Sequence, residues 1–247
     1  MMIVMSFRYI DIIKGLINKI ESTQIKVMEE VAQLCAKTIK SGNIIYFFGT
    51  GHSHMICEEP FYRAGGLVPI YPILEPSLML HDGAYKSTLV ERVEGLSKIL
   101  LEQSGAAKDD IIFVISNSGR NNATVEMALE AKNKGLKVVA ITSLFHSKSV
   151  ASRHTSRKKL YEVADYVIDN CGIVGDAAVV HENFEQKTGP TSTVADVLII
   201  NSIISRAVEI MLDRGLKPPV FMSSNTDEGD EFNKKVLEKY KSRIKLL

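Results

Sequence analysis

Ile111-Ile112-Phe113-Val114-Ile115-Ser116-Asn117-Ser118-Gly119 is a run of five strand formers that ends in two alternating serines and a glycine. A strand wetted on one face alternates apolar with polar residues. An unbroken run needs cover on both faces, as in a parallel sheet between helices. Earlier in the chain, Asn43-Ile44-Ile45-Tyr46-Phe47-Phe48 leads in the same way into Gly49-Thr50-Gly51-His52-Ser53. Glycine lets the backbone come close to a ligand, and the helix that follows offers unpaired N–H groups and the positive end of its dipole. Serine hydroxyls add donors that suit phosphate oxygens. Two such turns point to a phosphorylated ligand.

Working outward, helical periodicity runs from about Phe7 to Ile39, either as one long helix or as two in tandem divided at Ser22-Thr23. Strands are then expected at 44–48, 67–71, 111–115, 137–142 and 166–168. Helices are expected at 53–64, 90–103, 122–134, 192–213 and 228–244, with irregular stretches at 72–90 and 170–190. Strands alternating with helices build βαβ units with right-handed crossovers, hence an α/β fold with a parallel sheet. Ligands of such sheets sit at the carboxyl ends of the strands, where both turns lie. Three segments are expected: an N-terminal helical arm (1–40) packing on the domain or on a dimer partner, a central domain (41–215), and a C-terminal extension with a helix (216–247).

Composition narrows the partners. The 247 residues carry a net charge of +1, so no basic excess exists to attract nucleic acid or an anionic membrane. The cluster Arg153 to Lys159 reads as a solvated face. A 45% hydrophobic content fits a well-filled core. The opening Met1-Met2-Ile3-Val4-Met5 is apolar but lacks a basic leader, and Met5 is a candidate start. Cys35, Cys57 and Cys171 are odd in number and show no paired spacing, which fits a reducing cytoplasm.

The first turn is not a dinucleotide fingerprint, because the third glycine position falls on His54 and the next strand ends Ile70-Tyr71 without a ribose-binding acid. Nor is it a Walker loop, since no Gly-Lys-Ser/Thr follows. Here the chain resembles the SIS (sugar isomerase) domain family, in a phosphosugar-binding branch similar to phosphoheptose isomerases and muramic-acid phosphate etherases. Ser116, Ser118 and Gly119 match the family's SxSG loop, Gly49, Gly51 and Ser53 match its first loop, and Gly189-Pro190-Thr191-Ser192-Thr193 resembles its later segment opening a long helix. Asn121 stands where the family often has a hydroxyl residue; it can cap the helix and donate from its amide. The resemblance implies a three-layer αβα sandwich around five parallel strands, the flavodoxin-like SIS fold. It also implies a phosphosugar held by Gly51, His52, Ser53, Ser116, Asn117, Ser118, Gly119 and Asn121, with Thr191 and Ser192 closing the pocket. A homodimer or tetramer with the pocket at the subunit interface goes with it. Thr142 and Ser143, ending the fourth strand, either touch the sugar or merely terminate the strand.

For acid–base chemistry the candidates are Glu58, Glu59, His52, His54, His81 and His181. Glu58 and Glu59 face apart on a helix, and Glu59 with Arg63 can equally form a solvated ion pair. His54 and Glu58 share a helix face, and phosphoheptose isomerases use His and Glu as metal ligands. Glu59 occupies the place of a histidine in their pattern, so neither metal nor another cofactor is expected. Asp176 is expected to shape its loop or to bond a sugar hydroxyl. The activity implied is aldose–ketose isomerisation through an enediol, with Glu59 or His81 as base. The alternatives are a sugar-phosphate lyase or etherase, and a sensor that binds without turnover.

Overall fold

The apolar runs become five parallel strands with helices on both faces. A computed structural model describes residues 7–247; the apolar opening and the candidate start at Met5 lie outside the described residues. The order is α1 (Arg8–Lys40), β1 (Ile45–Gly49), α2 (Met55–Glu58), β2 (Ile70–Pro72), α3 (Ala84–Val90), α4 (Leu96–Ser104), β3 (Ile111–Ile115), α5 (Asn122–Asn133) and β4 (Lys137–Thr142). It continues with α6 (Leu144–Lys148), α7 (Leu160–Val163), β5 (Tyr166–Asp169), β6 (Ala177–His181), β7 (Phe184–Pro190), α8 (Ser192–Asp213) and α9 (Asp227–Leu237). The large sheet has the order β2-β1-β3-β4-β5, every pair parallel.

Period-two alternation divides each run between two cores. Ile45, Phe47, Ile111, Phe113, Ile115 and Ile141 face α1, α2 and α8, meeting Val31, Cys35, Cys57, Ile199 and Ile203. Ile44, Tyr46, Phe48, Ile112, Val114 and Ala140 face α4, α5 and α7, meeting Leu101, Met127, Ala128 and Leu160. Phe47 and Phe113, opposite each other in the register, stack at 4.7 Å. Each such side chain contributes about 1.5–3 kcal/mol by leaving water. These are the three layers expected, and α1 is one uninterrupted helix of 33 residues.

Local expectations change at several points, and the stretch 72–90 expected to be irregular contains α3. The helix expected at 53–64 is a 3-10 turn over Gly51–His54 followed by the single turn α2; Pro60, with no N–H, cannot extend it. The strand expected at 67–71 pairs with β1 only at 70–72, because 65–68 is bonded to the C-terminal segment: Val68 N–H donates to the Pro219 carbonyl (2.8 Å) and Phe221 N–H to that of Gly66 (2.9 Å). The helix expected at 90–103 begins at Leu96, where Glu126 of α5 accepts from the N–H groups of Gly95 (2.7 Å) and Ser97 (3.0 Å). The irregular stretch before α8 contains the antiparallel hairpin β6–β7, turning at Asn183 with φ +57°. The C-terminal helix stops at Leu237, and the residues beyond it bring Ile244 into the second core.

Candidate functional site

Register puts both glycine–serine turns at one edge. Gly49 lies opposite Ile115 on adjacent strands, so the chain leaves β1 into Thr50 and β3 into Ser116 side by side, about 5 Å apart. Gly49 has no room for a side chain, since a Cβ there would stand 2.6 Å from the Ser53 carbonyl oxygen. Gly119 has φ +56° and is hemmed in by Leu160, Thr142 and Ser147.

The second turn is held from beneath. Ser116 Oγ accepts from Gly119 N–H (3.1 Å), while Thr142 Oγ1 (3.2 Å) and Ser143 N–H (3.1 Å) donate to the Asn117 carbonyl. Ser143 Oγ donates to the Gly172 carbonyl (2.7 Å) and accepts from His146 N–H (3.1 Å). Thr142 and Ser143 are both fully buried, so their hydroxyls brace the turn and face no open space. Ser53 and Ser118, half-buried, have side chains with no hydrogen-bond partner among the described residues.

A single carboxylate joins the two turns. Glu91 Oε2 accepts from Thr50 Oγ1 and Glu91 Oε1 from Asn121 Nδ2, each at 2.7 Å. Asn121 Oδ1 accepts from Arg153 (2.8 Å). The Asn121 side chain is therefore fully engaged and does not cap α5 as expected. Arg153 is exposed, as the reading of 153–159 as a solvated face expected, and its guanidinium also reaches the turn.

Thr191 and Ser192 sit at the start of α8, against Asp176. Asp176 Oδ1 accepts from Thr191 N–H (3.0 Å), Ser192 N–H (2.8 Å) and Thr191 Oγ1 (3.1 Å), and Oδ2 from Ser192 Oγ (2.7 Å). Asp176 thus shapes the loop. One turn along α8, Asp196 is buried and accepts from Asn170 Nδ2 (2.9 Å), which also donates to Asn117 Oδ1 (3.2 Å). Burial pushes the Asp196 carboxyl up to about 7; the Asn170 bond opposes this and the nearby Asp176 charge adds to it. This polar chain ties α8 to the second turn.

The acid–base candidates gather only in part: His54, Glu58 and His81 lie near one another, while Glu59 and His181 are engaged elsewhere. Glu59 is engaged by Arg63 and by Asn201 Nδ2 of α8 (3.1 Å). Glu58 is exposed, with His54 at 3.8 Å. His54 is buried, with Nδ1 in close contact with the Gly51 carbonyl, and its ring lies 6.2 Å from that of the exposed His81. His52 is exposed. His181 lies out on the hairpin, where Nε2 meets Thr188 Oγ1 (2.8 Å). Among the described residues no group of three or more His, Cys, Asp or Glu is placed to hold a metal ion, and no helix is long and apolar enough to cross a membrane.

The sequence reading missed His146. Gly175 N–H donates to its Nδ1 (2.8 Å), leaving Nε2 to carry the proton. Burial lowers its pKa from 6.5; the Asp176 charge partly offsets this and Arg120 reinforces it, so the ring is neutral at pH 7. Its position four residues past the end of β4, in the crevice at the strand ends, was the available signal.

A family model described as SIS domain matches residues 8–143. The chain is 46% identical over 220 residues to a UPF0309 protein of Geobacillus sp. (strain WCH70), covering 89% of each. It is 45% identical over 247 residues to a UPF0309 protein of Thermoanaerobacter pseudethanolicus, covering 98% of this chain and 100% of that one. Among solved structures it is similar to a phosphoheptose isomerase from Francisella tularensis (TM-score 0.56, 16% identity, 82% of this chain and 95% of that one). A phosphoheptose isomerase from Neisseria gonorrhoeae gives the same TM-score of 0.56 at 13% identity, covering 82% and 96%. At these identities the two structures establish a common fold.

Proposed function

Because this chain belongs to the SIS domain family and shares the UPF0309 sequence pattern along most of its length, we propose that it binds a phosphorylated sugar at the carboxyl edge of the sheet and isomerises it between aldose and ketose. One observation carries the proposal. The turns after β1 and β3 leave the sheet side by side, are joined by Glu91, and keep the Ser53 and Ser118 hydroxyls unpartnered. The phosphoryl group sits between these hydroxyls and the amides of the two turns, which favour an anion without a fixed cation. A base takes the proton from the carbon beside the carbonyl, an enediol forms, and the proton returns to the neighbouring carbon. Glu59 and His81 remain the candidate bases. His146, neutral and with Nε2–H free to donate, is a candidate for moving the proton between the sugar oxygens.

The engagement of Glu59 by Arg63 and Asn201 favours a second reading, a binding module without turnover. Incubation with a panel of sugar phosphates in heavy water, followed by proton NMR, separates the two. Exchange of the proton beside the carbonyl, lost in Glu59→Gln or His81→Asn, supports the isomerase. Saturable binding without exchange supports the sensor, and release of a leaving group with exchange supports a lyase. No binding by any sugar phosphate would sink all three.

The assembly proposed is a homodimer or tetramer in the cytoplasm, made through the outer faces of α1 and α8. Ile25 (57% exposed) and Val194 (40%) leave apolar surface there. The arm 1–40, the SIS domain 41–215 and the extension 216–247 are the proposed divisions.

A further inference from the structure

Three arginines are tied by hydrogen bonds around residues 120–122, and none of them makes an ion pair among the described residues. Arg120 follows Gly119 directly. Arg153, between α6 and α7, donates to Asn121 Oδ1 (2.8 Å), and its backbone N–H donates to the Arg120 carbonyl (2.8 Å). Arg92, between α3 and α4, accepts at its carbonyl from Asn122 Nδ2 (2.6 Å). Among the described residues, the ion pairs made by arginine fall elsewhere, on Arg63, Arg206 and Arg243. Glu91, the acid at hand, is engaged through both oxygens by Thr50 and Asn121.

Arg92 and Arg153 are exposed to solvent; two further observations show an unmatched donor on Arg120 and repulsion within the cluster. Arg120 Nε is shielded from water and has no acceptor, an expensive state for a donor on a cation. Arg153 loses its proton more easily than an ordinary arginine, from burial first and then from repulsion by Arg120 and Arg92, with Glu91 pulling the other way. Within the cluster, Arg120 lies toward the β4 side of the second turn. Arg120 acts on His146 of α6, beyond β4, whereas Ser53 stands in the turn after β1. A phosphoryl group held between Ser53 and Ser118 leaves this charge unmatched.

We propose that the sugar ligand carries a second acidic group, a carboxylate or a second phosphate, held by Arg120 and Arg153 with Arg92 at the rim. The inference rests on the phosphosugar reading above. A planar guanidinium offers paired N–H donors that suit either acid, and the unmatched Nε supplies one of them.

Calorimetry at fixed ionic strength with three probes tests it: glucose 6-phosphate, 6-phosphogluconate and fructose 1,6-bisphosphate. The expected result is that at least one doubly acidic probe binds tenfold or more tighter than glucose 6-phosphate. Which one gains identifies the acid. In Arg120→Gln/Arg153→Gln the ratio falls to about one, and in Arg92→Gln, an exposed position that leaves the fold untouched, it falls about threefold. Equal binding of all three probes by the wild type overturns the second acid and leaves the phosphosugar reading standing. So does a preference that survives the arginine changes. Binding of none of the three, with inorganic phosphate also silent, overturns both.

Discussion

Changing Asp196 to asparagine should make the protein more stable at alkaline pH and leave it unchanged in acid. Asp196 is 2% exposed, accepts one hydrogen bond from Asn170, and has its pKa pushed up to about 7 from 3.8, chiefly by burial. A folded-state pKa above the unfolded one means that the native state binds the proton more tightly. The stability this supplies is complete below pH 3.8 and is lost as pH rises through 7. The loss, relative to a side chain that never ionises, is about 4 kcal/mol by pH 8. Asparagine keeps the acceptor oxygen for Asn170 and carries no charge. Urea denaturation of both proteins at one fixed protein concentration, at pH 4, 6 and 8, gives the difference directly. That difference should be near zero at pH 4 and grow in favour of Asp196→Asn by several kcal/mol at pH 8. A difference that stays flat, or one in which the wild type gains as pH rises, would refute the claim that this carboxyl is buried without adequate compensation.

Gly49→Ala should cost about 1–3 kcal/mol in a thermal melt and weaken inorganic phosphate binding, because the added methyl meets the Ser53 carbonyl. Glu91→Ala removes the acceptor shared by Thr50 and Asn121 and should cost about 1.5–3 kcal/mol for each of the two bonds; Glu91→Gln, which keeps one acceptor, should fall between it and the wild type. Asp176→Ala leaves the start of α8 without its carboxylate and should cost about 1–2 kcal/mol by denaturant midpoint. Burial pushes the Cys35 thiol up to about 12 and raises those of Cys57 and Cys171 as well. A thiol reagent at pH 8 should label none of the three quickly in the native protein and all three after unfolding.

Much of the fold was written in short-range pattern. The runs at 111–115 and 137–142 and the helix at 192–213 stand at the boundaries their periodicity implied, because each is long or unbroken enough for burial alone to decide it. What escaped depends on partners distant in sequence. Glu126 fixes where α4 begins, 31 residues from the N–H of Gly95 that it accepts. The C-terminal segment takes up the residues that would have lengthened β2. The hairpin β6–β7 is polar on most of its second strand, Glu185 to Gly189, and only Asn183 hinted at its turn. At the site, the turns were legible from their glycines and serines. The roles of Thr142, Ser143 and Asn121 were not, since a side chain that braces a loop and one that meets a ligand share the same chemistry.

Glu91 belongs to neither of the turns it joins; it follows α3, where the sequence reading expected the next helix to have begun. A shift of that short helix must carry Thr50 and Asn121 together, so order in residues 84–91 and the proposed grip on a phosphoryl group are reciprocal. If the proposed cradle holds phosphate, a compound that stiffens α3 would tighten its retention without touching the anion.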